Sequence, residues 1–548
     1  MLALAAVLLC GTGLATGCGR GGGSSAGTLT VLSTNQIEHL DPARNYVQPV
    51  EDIGRLIYRS LTMYQASPDG GQTLVPDLAT STGTPSAGAR TWTFTLKDGL
   101  RFEDGTPITS ADIKYGVERT FAAELPEGPP YARMWLVGGD RYKGPYQDHR
   151  GLDSIQTPDA KTIVFQLNRP VADFGGTVSM SIFSPVPKAK DNGVGYDQHP
   201  VASGPYKIES YAQGKQLALV RNTNWSSATD PVRRQRANRI VIDVGMDSAV
   251  VTQRLIAAQG QDRNAIALLS APASSIGQIL GNPAVKQRLM TGKTTNTRYL
   301  SLNTTHEPLT DVRVRQAIAW ALDKSSMQLA MGGAPAGRVA TSLIPPTVAG
   351  YVDHDPYPTP GQHGDSARAR ELLAQAGYPR GGITLTMDTP ATTTARAVAE
   401  AAQASLATVG IELKINEIST QTFYSTVGTT SSEHDIVYAG WAPDWPGPGT
   451  YLPNVFDGRM ITAQGNNNYS MYNVPEVNDR FDQIAQLTDP AQADAAYGEL
   501  QQRILADAAV VPWLWDTSVI LVGPNVTDAF GNSAYNGSPD MVSIGLGK

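Results

Sequence analysis

Asp444 is the residue most open to a chemical role. It lies in the stretch GWAPDWPGPG at 440–449, between Trp441 and Trp445, directly after the apolar run 436–439. A carboxylate at the end of an apolar strand, fenced by aromatic rings, has two readings. It is a solvated turn acid, or it is an anchor for a cation, because a charge that loses its water must be paired. Other chemistry finds little footing. The seven histidines show no H-x-x-x-H or H-E-x-x-H spacing. The Gly-rich run 19–25 lacks the Lys-Ser/Thr ending of a phosphate-binding loop. The segment 203–206, SGPY, reads as a strand-entry turn and not as a nucleophile elbow.

The elements that must position Asp444 can be read from periodicity. TLTVLS at 28–33 is strand-like. In TWTFTLKDGLRF at 91–102, Trp92, Phe94 and Leu96 alternate with Thr93, Thr95 and Lys97, which is the period of a strand. Thr109 with Asp112 three residues on predicts a capped helix start. Further strands are expected at 161–167 and on either side of Gln213-Gly214 within 204–222. The second half turns helical. Val314, Ile318, Ala321 and Leu322 predict one helix over 311–331. Asp365 or Ser366 should cap another that stops at Gly377. A strand at 383–389, a helix ending at Gly410, a strand at 411–418 and a helix at 489–509 complete an α/β alternation. VVPWLWDTSVILV at 510–522, with Trp513 and Trp515, reads as a strand pair.

Length and composition bound the rest. A chain of 548 residues exceeds one core and implies two to four domains. A net charge of −7 and no basic run argue against a nucleic-acid partner. The start of the chain is an apolar run closing on Ala15-Thr16-Gly17-Cys18. It is too short and Gly-broken to span a bilayer, which takes roughly 20 apolar residues, and it has the form of a signal peptide over 1–17. The last four residues resemble a bacterial lipobox, so Cys18 is the expected lipidation site, followed by a Gly/Ser tether over 18–27. Ala15 stands where Leu is usual, and no Lys or Arg precedes the apolar run. Cys10 is the only other cysteine, so cleavage before Cys18 would leave no disulfide and no thiolate metal site.

Five segments, in order over nearly the whole chain after residue 28, carry a family resemblance. They are TWTFTLKDGLRFEDGTPITSADIKYGVERT, ASGPYKIESYAQGKQLALVRNTNW, LSLNTTHEPLTDVRVRQAIAWALDK, ARELLAQAGYPRGGITLTM and HDIVYAGWAPDW. Together they resemble the extracellular solute-binding proteins of family 5, the peptide- and nickel-type receptors of ABC importers. The resemblance implies a bilobal α/β fold of the periplasmic-binding-protein type with an inserted domain. Lobe I would comprise 28–58, 200–285 and 510–548, the inserted domain 59–199, and lobe II 286–509. Chain crossings near 286 and 509 would form the hinge of a ligand cleft.

It further implies that an extended peptide pairs with the backbone of Gly440, Trp441 and Ala442 on one lobe and of Tyr46, Val47 and Gln48 on the other. Asp444 would hold the peptide α-ammonium. Pro443 departs from the pattern, since it removes an N–H beside the anchor. So does Thr389, which stands where dipeptide receptors place an arginine, with Arg396 deeper in the helix. Oligopeptides therefore fit better than dipeptides. The expected protein is a monomeric receptor and not an enzyme, without cofactor or metal, whose partners are a peptide, importer permease subunits and, through Cys18, the outer face of the cell membrane. Sugars and nickel chelates are the alternative solutes, with His39 the only histidine near the cleft segments; a secreted lipid-anchored hydrolase is the alternative of another class.

Overall fold

The computed structural model describes residues 27–431 and 434–547. The signal peptide, Cys18 and all but the last residue of the tether lie outside the described residues. Among the described residues no helix is long and apolar enough to cross a membrane.

Three sheets organise the chain. In the first lobe Thr28–Leu32 lies between Arg239–Asp243 and Ala265–Ala267, parallel to both, and the hairpin of Gln216–Arg221 and Tyr206–Ala212 completes five strands. Gly214, at φ +72°, makes the turn of that hairpin, a conformation costly for a residue with a Cβ. Leu29, Val31, Leu56, Ile240 and Ile266 close the core beneath it.

The second unit is a four-stranded sheet around Thr91–Thr95 and Thr162–Gln166. The expected alternation is present: Trp92, Phe94 and Leu96 are buried and Thr95 is exposed. The strand stops at Thr95, short of the sequence reading. Thr109 and Asp112 form the capping box of the helix Ser110–Arg119.

The second lobe carries a six-stranded sheet, in the order Gly337–Arg338, Val510–Leu521, Leu289–Leu302, Ile436–Trp441, Ile383–Pro390, Ile411–Ile418. The single helix expected over 311–331 is two, Val312–Ala321 and Lys324–Met331. Between them Asp323 accepts the Ser326 N–H at 2.8 Å and starts a new helix. An internal cap outweighs the continuous apolar spacing. The strand pair expected at 510–522 is one strand of 12 residues.

That strand and Leu289–Leu302 join the lobes. Leu289–Lys293 pairs with Thr517–Leu521, Thr297–Ser301 pairs with Val510–Trp515, and the register shifts between them. Met290, Ile520 and Leu521 pack in the first lobe's core, while Leu300, Val511, Trp513 and Leu514 pack in the second lobe's. The chain thus passes between lobes in mid-strand, at 293–297 and 515–517. Trp513, assigned from sequence to the first lobe, belongs to the second. A long apolar strand has one period along its length, so its sequence does not say which core each half joins.

Candidate functional site

Ile436–Trp441 is the strand that carries the candidate site. On one side it is fully laddered to Leu289–Leu302, with Arg298 opposite Gly440 and Thr297 opposite Trp441. On the other it meets Ile383–Pro390 only at Ile436 and Val437. The backbone from Tyr438 to Trp441 therefore has one edge without a ladder, the feature that lets a sheet accept a further strand. Gly440, Trp441 and Ala442 line a cavity of about 710 Å³ with Tyr424, Asn466 and Tyr469. Trp441 also packs its half-buried ring on the second lobe's core, so it is both packing and wall.

Three residues past the strand, Asp444 reaches the other half of the molecule. Its Oδ2 accepts from the Tyr46 hydroxyl at 3.0 Å and from the Tyr131 hydroxyl. Tyr131 is 313 positions away and belongs to the inserted unit. Trp445 follows it across. Its indole is 2% exposed, packs edge-to-face on Tyr131 and Trp135, and donates to Asp173 Oδ2 at 2.8 Å. Gly176 makes room: a Cβ there would stand 2.9 Å from the indole. Trp445 thus packs in a core other than its own lobe's.

Tyr46 is aimed by a buried ion pair. Arg119 donates to both carboxylate oxygens of Asp41, at 2.6 and 2.7 Å, with both side chains fully buried. The Asp41 carbonyl in turn accepts from Arg44 and Asn45 and fixes the turn that precedes Tyr46. The reading of Tyr46–Gln48 as backbone available to an extended ligand needs correction at Val47 and Gln48, where a helix begins. Val47 is the N-terminal cap of the helix Gln48–Ile57, and its carbonyl already accepts from Val50 and Glu51. The Gln48 side chain is held by Asp52, the Tyr535 carbonyl and Ser538. Pro49 in the first turn tips the segment into a helix, because its fixed φ suits that position.

The electrostatics around Asp444 favour a cation. Burial raises its carboxyl above the usual range, and the two tyrosine hydroxyls pull it back only in part. Burial also pushes Glu51 well above the carboxylate range, helped by the charges of Asp444 and Asp52. Glu51 and Asp444 line one small cavity of about 40 Å³ with Tyr58, Tyr64 and Tyr535. The two arginines beside it are already paired, Arg55 with Asp540 at 3.1 Å and Arg233 with Asp77 at 2.8 Å. An ammonium group would supply the charge that these acids lack.

The residues predicted from sequence do not share one cavity. Asp444 faces the small one, Gly440 to Ala442 the 710 Å³ one, and Gln48 a third of about 520 Å³ between the lobes. Thr389 is fully buried, and its hydroxyl has no hydrogen-bond partner among the described residues. Arg396 turns outward to Glu417, at 2.7 Å. His39 is engaged at both ring nitrogens, by Asp197 at 2.9 Å and Arg44 at 3.2 Å. Among the described residues no group of three or more His, Cys, Asp or Glu is placed to hold a metal. Tyr131, Glu51 and Arg298 were not found from sequence. Nothing near any of them marks it, since each meets the site only through packing of distant segments.

Known proteins share this architecture. The model of the "bacterial extracellular solute-binding proteins, family 5 Middle" matches residues 73–462. The solved structure of a clavulanic acid biosynthesis oligopeptide binding protein 2 superposes with a TM-score of 0.88 at 34% identity, covering 95% of this chain and 96% of that one. The "Probable D,D-dipeptide-binding periplasmic protein" of Escherichia coli K12 is 26% identical over 461 residues, 83% of this chain and 82% of its own. The periplasmic murein peptide-binding protein of the same strain is 24% identical over 498 residues, 88% of this chain and 87% of its own. With two lobes, an inserted unit and a match over most of its length, the chain belongs to the family 5 bacterial extracellular solute-binding proteins.

Proposed function

We propose that this protein is a lipid-anchored extracytoplasmic receptor that captures peptides between its lobes and delivers them to an ABC importer. One observation carries the reading. Asp444, just past a strand with an unladdered edge, is met at the lobe interface by neutral hydroxyls alone among the described residues. In this reading the α-ammonium of a peptide displaces a tyrosine hydroxyl from Asp444, while its backbone pairs along Tyr438–Trp441. Pro443 offers no N–H there, so the ladder ends before the anchor. Relatives named for D,D-dipeptides, murein peptides and oligopeptides support the ligand class. With threonine at 389, the ligands are peptides longer than two residues. The anchor is a lipid on Cys18.

The test is calorimetry with a peptide co-purified with the protein. Asp444→Asn should weaken binding by about 2–5 kcal/mol, the range for removing one partner of a buried charged pair. The N-acetylated form of the same peptide should bind wild type and variant alike. Equal affinity of the free peptide for both proteins would remove the anchor.

A further inference from the structure

The crossing strands are touched by a third body, a hairpin of the inserted unit. Its strands are Thr62–Ala66 and Gln72–Pro76. The base is fixed to that unit: Leu61 lies in its core, and the Thr62 hydroxyl donates to the Gly175 carbonyl at 2.6 Å. The tip turns over Ser67–Gly71, where the Ser67 N–H donates to the Gly71 carbonyl at 2.9 Å and Gly70 takes φ +90°. A side chain at Gly70 would be strained in that conformation, and its Cβ would stand 3.0 Å from Lys293 Cδ. Lys293 is the last paired residue before the register shift, and its ammonium donates to the Asp69 carbonyl at 3.1 Å.

Gln72, beside the tip, touches both lobes with one amide. Its Oε1 accepts from the Ser533 hydroxyl at 3.1 Å. Ser533 is fully buried, in the C-terminal segment whose Met541, Val542 and Ile544 pack in the first lobe's core. The Gln72 Nε2 donates to the Thr347 carbonyl. Thr347 belongs to the second lobe, where Ile344 and Val348 pack with Tyr299 and Val437. The Thr347 hydroxyl donates in turn to the Thr294 carbonyl at 2.7 Å. Residues 294–296 are the stretch that the register shift leaves opposite Asp516 alone, a bulge at which the strand can bend.

We infer that Gln72 is a hinge latch: through it the inserted unit holds the lobes in the arrangement that sets Asp444 against Tyr46 and Tyr131, and so governs how often the cleft opens. Rotation of the second lobe about the bulge carries Thr347 away from Ser533, and one amide on a hairpin fixed at its base cannot follow both. The chemistry at 72 is specific. An amide offers a donor to Thr347 and an acceptor to Ser533. A glutamate would keep the acceptor but set a carboxylate against the Thr347 carbonyl, and a leucine would offer neither. The latch lies outside the residues proposed to touch the ligand, and its test uses no added peptide, so it stands or falls apart from the peptide reading.

The experiment is single-molecule energy transfer between dyes on the two lobes of the whole chain. The dyes sit on Val250→Cys in the first lobe and Lys414→Cys in the second, both exposed positions, with Cys10 and Cys18 replaced by alanine. Gln72→Leu should lower the ratio of closed to open molecules roughly three- to tenfold, the fold-change of one or two ordinary hydrogen bonds. Gln72→Glu should lower it further at neutral pH, and should recover towards the leucine value as the pH falls through the carboxylate range. Thermal melts of both variants should stay close to wild type, since Gln72 is only half-buried. A ratio unchanged in both variants overturns the latch. A ratio that falls only in step with a lower melting temperature also overturns it, because Gln72 would then support the fold at large and not the hinge.

Discussion

At the scale of single residues, the site is a problem of too many acids in too little water. Asp52, fully buried one residue from Glu51, has its carboxyl pushed up to about 7, because burial outweighs the neighbouring Arg55 charge. A folded-state value above the unfolded one means that unfolding releases a proton between roughly pH 4 and 7, so stability falls as pH rises through that window. The contribution is intact below pH 4 and lost above about 7. Asp52→Asn cannot titrate and should gain stability relative to wild type with rising pH, by on the order of 3 kcal/mol between pH 4 and 8. Urea denaturation of both proteins at the two pH values measures it. A difference that does not change with pH would show that Asp52 is not the group that titrates. None of this could be seen in the sequence, where Glu51 and Asp52 look like ordinary helix-start acids. Their meaning comes from burial in the folded chain, and for Glu51 also from Asp444, brought beside it by a fold that spans nearly 400 residues of separation.

At the scale of elements, the loop after Ile436–Trp441 does two jobs with adjacent residues. Asp444 offers a charge to the interface, and Trp445 fixes the loop by burying its indole in the inserted unit's core. Removing a buried tryptophan costs about 3–5 kcal/mol, but here the lost contacts lie between lobes and not within one. Trp445→Ala should therefore lower the concentration of chymotrypsin needed to cut after Trp441 in the 440–449 loop, and should weaken peptide binding together with Asp444→Asn, while Trp445→Phe, which keeps ring packing and loses only the Asp173 bond, should stay close to wild type. Unchanged proteolysis in Trp445→Ala would mean that the indole does not hold the lobes together. The elements themselves were largely legible. The alternation in Thr91–Thr95, the capping box at Thr109 and the turn at Gly214 are local, and each is where its sequence signal lies. The errors came where a local signal competes with another. Asp323 splits a helix that apolar spacing joins, and Pro49 turns Gln48 into a helix start where a strand edge was expected.

At the scale of the whole molecule, the protein is two lobes hung on two long strands, with a candidate site whose residues come from both lobes and the inserted unit. Its proposed attachment to the membrane depends on the segment before Gly27. Cys18→Ala protein should move from the membrane fraction to the soluble fraction on cell fractionation, with peptide affinity unchanged. Equal membrane association of the variant would refute lipidation at Cys18. By itself the sequence determined the strand and helix types, the caps and turns, the order of the family's motifs and the candidacy of Asp444, because all of these are written in neighbouring residues. Only the tertiary structure decided that Tyr46 and Tyr131 meet Asp444, that Trp445 packs outside its own lobe, that the crossing strands change cores midway, and that Arg298 stands in the interlobe cavity. The physical reason is distance along the chain. Contacts within a few residues follow from backbone geometry, whereas contacts across hundreds follow from how separately formed lobes bury their surfaces against each other.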